Sequence, residues 1–261
     1  MSGAAKKTDA AVVARVPRTR GLLWAGIVLL VVVGLHGIAV AADPAAPWTQ
    51  GLDDAWRRMI GVGPDSGAYT WFLPMFFQHL GQLPGMGVLM LILPIVLAAV
   101  GRWRTALFVL AVQLAGPGLV SQALKNTVNR PRPATDQAMG LYGPLFPVDH
   151  GSFPSGHAVS AGALAVILLA LVPLARRGSR VAMIVIGAVL IVGMIWQRTL
   201  INAHWFSDCI TGAAAGIGVA LVLWWAFQPW LTRDLHRRPW FLGHRGAADA
   251  PPRTASRSAG A

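Results

Sequence analysis

Three short stretches of the sequence contain side chains suited to holding and transferring a charged group. They are "KNTVNRPRP" (125–133), "PSGH" (154–157) and "QRTLINAHWFSD" (197–208). They concentrate lysine, arginine, histidine and aspartate in a chain that is only 12% charged. Arginine and lysine pair with phosphate oxygens, and imidazole can exchange a proton or attack near neutral pH. The three stretches therefore indicate chemistry on a phosphate.

The cations of the first and third stretches are Lys125, Arg132 and Arg198. A planar guanidinium matches phosphate oxygens in pairs, whereas lysine acts as a mobile point charge. The prolines on either side of Arg132 hold the backbone extended and restrict where its guanidinium can lie. We expect these three side chains to bind the phosphate and to stabilise negative charge during its transfer.

The second stretch predicts a helix whose first turn faces an anion. Pro154 suits the start of a helix, where its missing N–H costs nothing. The amides of Ser155 and Gly156 are then free to point at a phosphate with the helix dipole behind them, and Gly156 allows close approach. His157 follows at the helix mouth, where an imidazole can protonate a leaving oxygen and then activate water.

His204 and Asp208 lie four residues apart, so on a helix they share one face. A carboxylate bonded to one ring nitrogen fixes the tautomer and leaves the other nitrogen free to attack phosphorus. We therefore predict His204 as the nucleophile, Asp208 as its orienting partner, and a phosphohistidine intermediate.

A metal-dependent mechanism is the main chemical alternative. Hard cations prefer several carboxylate oxygens, yet the sequence contains no glutamate and places only Asp208 among these residues. Zinc held by His157, His204 and Asp208 stays open, although three basic residues already supply positive charge. We expect no metal and no cofactor, and we expect the lone Cys209 to be a small buried residue.

The elements that must position these residues are membrane helices. The chain of 261 residues is 55% hydrophobic, and a span needs about 20 apolar residues. We predict an all-α fold with six transmembrane helices. The apolar runs are 22–41, 84–100, 105–124, 158–174, 181–196 and 205–227. A signal peptide is the alternative for the first run, but secretory signals use roughly 7 to 15 apolar residues, which favours an uncleaved anchor.

Charge bias predicts the orientation. With six spans and a cytoplasmic N-terminus, 16 of the 22 Lys and Arg residues fall on the cytoplasmic side, as the positive-inside rule requires. Both termini are then cytoplasmic, and the three stretches face the other side of a plasma membrane. The net charge of +12 follows from this bias and from attraction to anionic lipid. We expect neither a nucleic-acid partner nor a protein partner.

The predicted membrane domain covers residues 21–230, between a disordered basic segment at 1–20 and a largely disordered tail at 231–261. Residues 43–83 are predicted to lie on the outer surface. They include an amphipathic helix, and whether it guides a lipid or only packs against the bundle stays open. Its apolar positions are Leu52, Ala55, Trp56, Met59 and Ile60, with Asp53, Asp54, Arg57 and Arg58 between them.

Together the three stretches resemble the signature of the type 2 phosphatidic acid phosphatase family, K-x6-RP, PSGH and SR-x5-H-x3-D. This family is related to the soluble vanadium haloperoxidases, whose activity the six apolar runs disfavour here. Every position matches except the first of the third motif, where Gln197 replaces serine. In the family's mechanism that serine is not the nucleophile, so the departure concerns local hydrogen bonding.

The resemblance implies metal-independent hydrolysis of a phosphorylated lipid, with His157 as the general acid and base. Substrates of the family include undecaprenyl pyrophosphate, phosphatidic acid and phosphatidylglycerol phosphate. Two alternatives stay open. A lipid phosphotransferase would use the same residues, and a lipid-binding or transport protein of the same fold would be catalytically silent.

Overall fold

The computed structural model describes residues 18–148 and 151–236, and within these ranges the fold is helical, with one isolated bridge between Asp136 and Leu141. The predicted all-α class is confirmed. We number the helices in chain order. They are α1 (Arg20–Ala42), α2 (Gln50–Ile60), α3 (Phe72–Leu80), α4 (Leu83–Ala99), α5 (Trp103–Val128), α6 (Gly156–Ala170), α7 (Arg177–Leu200) and α8 (Phe206–His236).

Four of these helices, α1, α5, α7 and α8, are long and apolar enough to cross a membrane. A fifth span exists if α3 and α4, which meet at a bend of 48°, act as one. The protein is therefore a multi-pass membrane protein, and the predicted count of six spans is not confirmed. The predicted span that this count does not include is α6, whose 15 residues rise about 22 Å, less than the roughly 30 Å hydrocarbon core.

The second predicted span begins earlier than expected and is not a single straight helix. We predicted a run from 84 to 100, whereas helix begins at Phe72, breaks at Gly81–Gln82 and resumes at Leu83. Wide π turns occur in α4 at Val88–Ile92 and in α5 at Leu114–Val120, where Pro117 lies inside the helix. Proline and π turns are the usual local causes of distorted helices.

Short α6 lies at the centre of the bundle, between α8, α7 and α5. Small residues permit its close packing: a Cβ on Gly216 of α8 would lie 2.0 Å from the carbonyl oxygen of Val159, and one on Gly162 would lie 2.2 Å from that of Ala213. Close backbone approach of this kind is typical of membrane helix pairs. The N-terminal end of α6, with His157, is thereby held against the start of α8.

The last helix is longer than predicted. It continues through His236, past the predicted domain boundary at 230, and Asp234 near its end is completely buried. Asp234 accepts hydrogen bonds from the Thr105 backbone N–H at 2.9 Å and from Arg104 Nη1 at 3.1 Å. The first residues of the predicted tail are therefore part of the bundle. The remainder of that tail, and residues 1–17, lie outside the described residues.

Helix α2 is amphipathic as predicted, but its polar face is the one that packs inward. Asp53 and Arg57 are buried, whereas Leu52 and Met59 are 57% and 67% exposed. A helix with this arrangement suits a position at the membrane surface, with apolar side chains toward lipid. That position stays a prediction. The inward polar face has consequences for the site.

Candidate active site

One cavity of about 470 Å³ gathers most of the side chains that the sequence singled out. It lies where the end of α5, the start of α6, the end of α7 and the start of α8 come together. Its walls include six predicted site residues, namely Lys125, Arg132, Gly156, His157, Arg198 and His204. The other two, Ser155 and Asp208, are completely buried and are not among the lining residues. The three stretches therefore converge on one site.

His204 is held with one ring nitrogen turned inward and the other toward the cations. Its Nδ1 lies 2.7 Å from the backbone oxygen of Ser152, and its Nε2 lies 3.2 Å from Nη1 of Arg132. A carbonyl can only accept and a guanidinium can only donate. The proton therefore resides on Nδ1, and Nε2 presents its lone pair, which is the form a nucleophile needs.

Asp208 acts on His204 through Ser152 instead of through the expected direct bond. Its Oδ2 lies 4.0 Å from His204 Nδ1, beyond hydrogen-bond range. The same oxygen accepts hydrogen bonds from the Ser152 hydroxyl and, at 3.2 Å, from the backbone N–H of Trp205. Four-residue spacing does not produce a shared helix face here, because His204 precedes α8, which begins at Phe206.

Burial lowers the pKa of His204 well below its usual value, and the positive charges of Arg132, Lys125 and Arg198 lower it further. His204 lies between α7 and α8, outside the membrane-spanning segments. Desolvation and neighbouring cations both disfavour the imidazolium ion. The ring is therefore neutral, with its Nε2 lone pair available, throughout the physiological pH range.

His157 opens α6 and lines the same cavity, with its ring hydrogen-bonded to the backbone of Gln78. Its Nε2 is buried and has no hydrogen-bond partner among the described residues. Gly81, the residue after α3, lies close to the imidazole, since a Cβ there would be 2.0 Å from His157 Cδ2. The bend between α3 and α4 thus fixes where His157 sits.

Three cations face the cavity from different elements. Arg132 donates to the backbone oxygens of Ala203 and, at 3.5 Å, of Gly151, and Lys125 Nζ donates to Gly151 at 3.0 Å. Arg198 is 3% exposed, and its Nε and Nη1 have no partner among the described residues. A buried guanidinium with unused donors indicates a site for an anion.

The opening of α6 differs in one respect from the prediction. The helix begins at Gly156, with Ser155 as the preceding cap residue. The Ser155 amide donates to the backbone oxygen of Asp208 at 3.1 Å, so it is not available to an anion. Of the two residues predicted to donate an amide to the anion, only Gly156 lines the cavity.

Sequence reasoning missed a buried polar group behind the cavity. Arg130, completely buried, donates from Nη1 to Asp208 Oδ1 at 2.7 Å and from Nη2 to Asp53 Oδ2 at 2.8 Å. Arg130 was visible as the first arginine of "NRPRP", and Asp53 as one charge on the polar face of α2. Neither had a motif position to mark it.

Gln197, where the family pattern has serine, is buried beside the cavity. Its Nε2 donates to Oε1 of Gln78 at 2.9 Å, and Gln78 lines the cavity. The substitution therefore links α7 to α3 by an amide pair close to His157.

A metal centre would need several ligating side chains at one point. Among the described residues, no group of three His, Cys, Asp or Glu side chains comes close enough to hold an ion. Two further histidines near these stretches are not part of the site as described. His79 is exposed and does not line the cavity, and His150 lies outside the described residues.

Comparison with known proteins agrees with the fold and the motifs. Residues 106–231 match the family model described as the PAP2 superfamily. This part of the chain is similar to the PAP2 superfamily. The matched segment contains every predicted site residue, from Lys125 to Asp208. No curated protein matches the chain significantly.

A solved structure has the same fold. It is described as the crystal structure of the first transmembrane PAP2 type phosphatidylglycerolphosphate phosphatase from Bacillus subtilis. The TM-score is 0.61 at 20% sequence identity, and the match covers 77% of this chain and 94% of that one. The likeness extends beyond the matched family segment to most of the helical bundle.

Proposed function

We propose that this protein is a membrane phosphatase that hydrolyses a phosphorylated lipid through a phosphohistidine on His204, without a metal. The observation that supports this most directly is the state of His204. Its Nδ1 is bonded to a carbonyl at 2.7 Å, and its Nε2 lone pair lies 3.2 Å from a cavity-lining guanidinium. The match to the PAP2 superfamily model and the named structural neighbour support the same reaction class.

In the proposed reaction, the substrate phosphate first accepts the Arg132 N–H that is otherwise directed at His204 Nε2. The Nε2 lone pair of His204 is then free to attack phosphorus, and the bond to the lipid oxygen breaks. His157 donates a proton to that departing oxygen, which leaves as the lipid alcohol or, from a diphosphate, as the lipid monophosphate. Water, deprotonated by His157, then attacks the phosphohistidine and releases inorganic phosphate, which restores both imidazoles.

Cations supply the electrostatic part of catalysis. Lys125, Arg132 and Arg198 surround the position of the phosphoryl group, where negative charge is spread over three oxygens in the transition state. Removing a single preorganised donor from such a site costs about 10² to 10³ in rate. Arg198 contributes most per donor in this proposal, because it is buried and its unused N–H groups need no reorganisation.

The cavity walls support a lipid substrate. Away from the cations, the cavity is bounded by Met86 and Met90 of α4 and by Leu114 of α5. Leu114 is 58% exposed on the outside of the bundle, so the cavity reaches the surface that meets the acyl chains. A phosphate at the polar end and a hydrocarbon chain at the apolar end suit phosphatidic acid, phosphatidylglycerol phosphate or undecaprenyl pyrophosphate.

The proposed location is the plasma membrane, with both termini cytoplasmic and the cavity open to the other side. Support comes from the distribution of basic residues together with the convergence of Lys125, His157 and His204 at one end of the bundle. Labelling of single cysteines placed at these positions, by an impermeant reagent in intact cells, tests the orientation.

Purified protein in detergent, offered a panel of lipid phosphates and diphosphates, tests the function. We expect release of inorganic phosphate that persists in excess EDTA and is lost in His204→Ala, with His79→Ala as a matched control that retains activity. Phosphate recovered on a second lipid would assign a phosphotransferase. Turnover abolished by EDTA and restored by zinc would overturn the metal-independent mechanism, and absence of turnover on every lipid would leave a binding protein.

A further inference from the structure

Asp53, on the inward face of α2, is bound to the first turn of α8. Its Oδ1 accepts the backbone N–H of Ser207 and its Oδ2 accepts the Ser207 hydroxyl, both at 2.7 Å. A carboxylate at this position satisfies an N-terminal amide and complements the positive end of the helix dipole. Asp208, the next residue, is thereby fixed relative to α2, although the two lie more than 150 residues apart in sequence.

Arg130 joins the two carboxylates. Its guanidinium donates to Asp208 through Nη1 and to Asp53 through Nη2, and it also reaches Gln50 Oε1 at 2.9 Å and Ser207 Oγ at 2.9 Å. The side chains of Arg130, Asp53 and Asp208, which form these two ion pairs, are completely buried. The Trp205 ring covers the guanidinium at 5.2 Å. Away from water, such geometry determines the positions of all the groups together.

The same chain of contacts continues to the proposed nucleophile. Asp208 accepts the Ser152 hydroxyl, and the Ser152 backbone oxygen accepts Nδ1–H of His204 at 2.7 Å. The Ser152 amide donates to the backbone oxygen of Arg130 at 2.7 Å, which closes the network on itself. Displacement of the Arg130 guanidinium therefore moves both groups that orient His204.

We propose that Asp53 and Arg130 are positioning residues for phosphoryl transfer, through which α2 holds the His204 nucleophile. The proposal rests on the proposed function of the site. Neither side chain lines the cavity, so neither is expected to touch the substrate phosphate. The Arg130 guanidinium donates to two carboxylates, Asp53 and Asp208. If the Asp53 charge is lost, the guanidinium can move toward Asp208. Asp208 and the Ser152 that is bonded to it would then shift relative to His204.

The effect expected of such a change is on turnover and not on binding. A displacement of about 1 Å at a reacting group can lower the rate about 10²-fold. Two of the three cations proposed to bind phosphate, Lys125 and Arg198, lie on α5 and α7, and neither contacts the Asp53 or Arg130 side chain. We expect Asp53→Asn, which preserves shape and removes charge, to lower kcat about 10- to 100-fold. Inhibition by inorganic phosphate, which reports the cation site, should keep its Ki within about twofold.

The experiment compares kcat, KM, phosphate Ki and Tm for wild type, Asp53→Asn, Arg130→Lys and a control, Asp65→Asn, all as full-length protein. Asp65 lies exposed in the turn Pro64–Ser66. If Asp53→Asn does not fold, Gln50→Met removes one acceptor of Arg130 without removing the cap on α8, and a fall in kcat of about 2- to 5-fold is expected.

Reduced kcat with unchanged phosphate Ki in Asp53→Asn, and a control equal to wild type, supports the proposal. A kcat equal to wild type overturns it, as does a parallel loss of kcat, phosphate binding and Tm, which would assign Asp53 to stability alone. If Asp53→Asn does not fold, an unchanged kcat in Gln50→Met overturns it as well. An inactive wild type would instead refute the proposed function, so the two failures are distinguishable.

Discussion

Two buried aspartates at opposite ends of α8 are held by the same kinds of partner. Asp234 accepts from Arg104 and from a backbone N–H in the first turn of α5. Asp208, at the other end, accepts from Arg130 and from the Trp205 N–H. At the C-terminal end of α8, one arginine, Arg104, pairs with one carboxylate, that of Asp234. At the cavity end Arg130 serves both Asp208 and Asp53.

That difference in charge has a physical consequence. Two carboxylates on one guanidinium leave a net negative charge, and three cations, Lys125, Arg132 and Arg198, lie around the adjoining cavity. A closed pair such as Arg104–Asp234 can only tie two helices together. The network at the cavity end is connected through Ser152 to His204. We therefore expect similar contacts to serve chemistry at one end of α8 and stability at the other.

The largest expected effect comes from removing the nucleophile at the cavity end. His204→Ala eliminates the proposed nucleophile, and removing a group that forms the covalent bond can by itself cost 10⁴-fold or more in kcat. Phosphate release from lipid in detergent, with acid quenching to detect loss of the acid-labile phosphoenzyme, measures this. Residual activity within about tenfold of wild type would assign the attack to another group.

The next largest expected effect on activity comes from removing one buried cation, Arg198. Arg198→Ala should lower kcat/KM about 10² to 10³-fold, because its unused donors are preorganised for the phosphoryl oxygens. Arg177→Ala, an exposed arginine at the other end of the same helix, is the matched control and should match wild type. Equal losses in the two variants would mean that charge on α7, and not position, matters.

A single methyl group tests the support of His157. Gly81→Ala would place a Cβ 2.0 Å from His157 Cδ2, whereas a Cβ on Gly87 has nothing within 4 Å. We expect kcat to fall about 10- to 100-fold in Gly81→Ala and to stay unchanged in Gly87→Ala. The prediction is wrong if both alanine variants turn over lipid at the wild-type rate.

A substitution at Asp234, at the C-terminal end of α8, should lower the stability of the protein and leave its kcat unchanged. Asp234→Asn leaves Arg104 and the Thr105 amide with a weaker acceptor, which costs about 1 to 3 kcal/mol. Thermal unfolding in detergent should show a lower Tm, while kcat stays within about twofold. A fall in kcat at unchanged Tm would show that the two ends of α8 are coupled, contrary to the comparison.

The smallest expected effect is that of mild acid. Because the pKa of His204 lies well below its usual value, the neutral nucleophile persists as pH falls through 6.5, and is lost only at lower pH. After division by the substrate's own phosphate titration, kcat/KM should show no decline between pH 7.5 and 6.5. An acid limb centred near 6.5 would indicate an imidazole in ordinary solvent.

Motif spacing anticipated the cavity because each motif residue lies near the end of a helix, and apolar runs show where helices end. In this way the sequence predicts that Lys125, His157 and Arg198 lie together, as they do in the cavity. The structure departs from the expectation where local regularity was assumed. The span predicted at 158–174 is not confirmed, because α6 has only 15 residues, and His204 precedes the helix that it was expected to share with Asp208.

By itself, the sequence determined that the chain is helical, that its long helices are apolar enough for a membrane, and which motif side chains meet at one site, because hydropathy and motif spacing are local properties. Only the tertiary structure decided that α2 turns its charged face inward, that Arg130 bridges Asp53 and Asp208, and that a backbone carbonyl of Ser152 orients His204. These contacts join segments distant in the chain. Their partners are selected by burial, where an uncompensated charge is costly, and no local pattern records that cost.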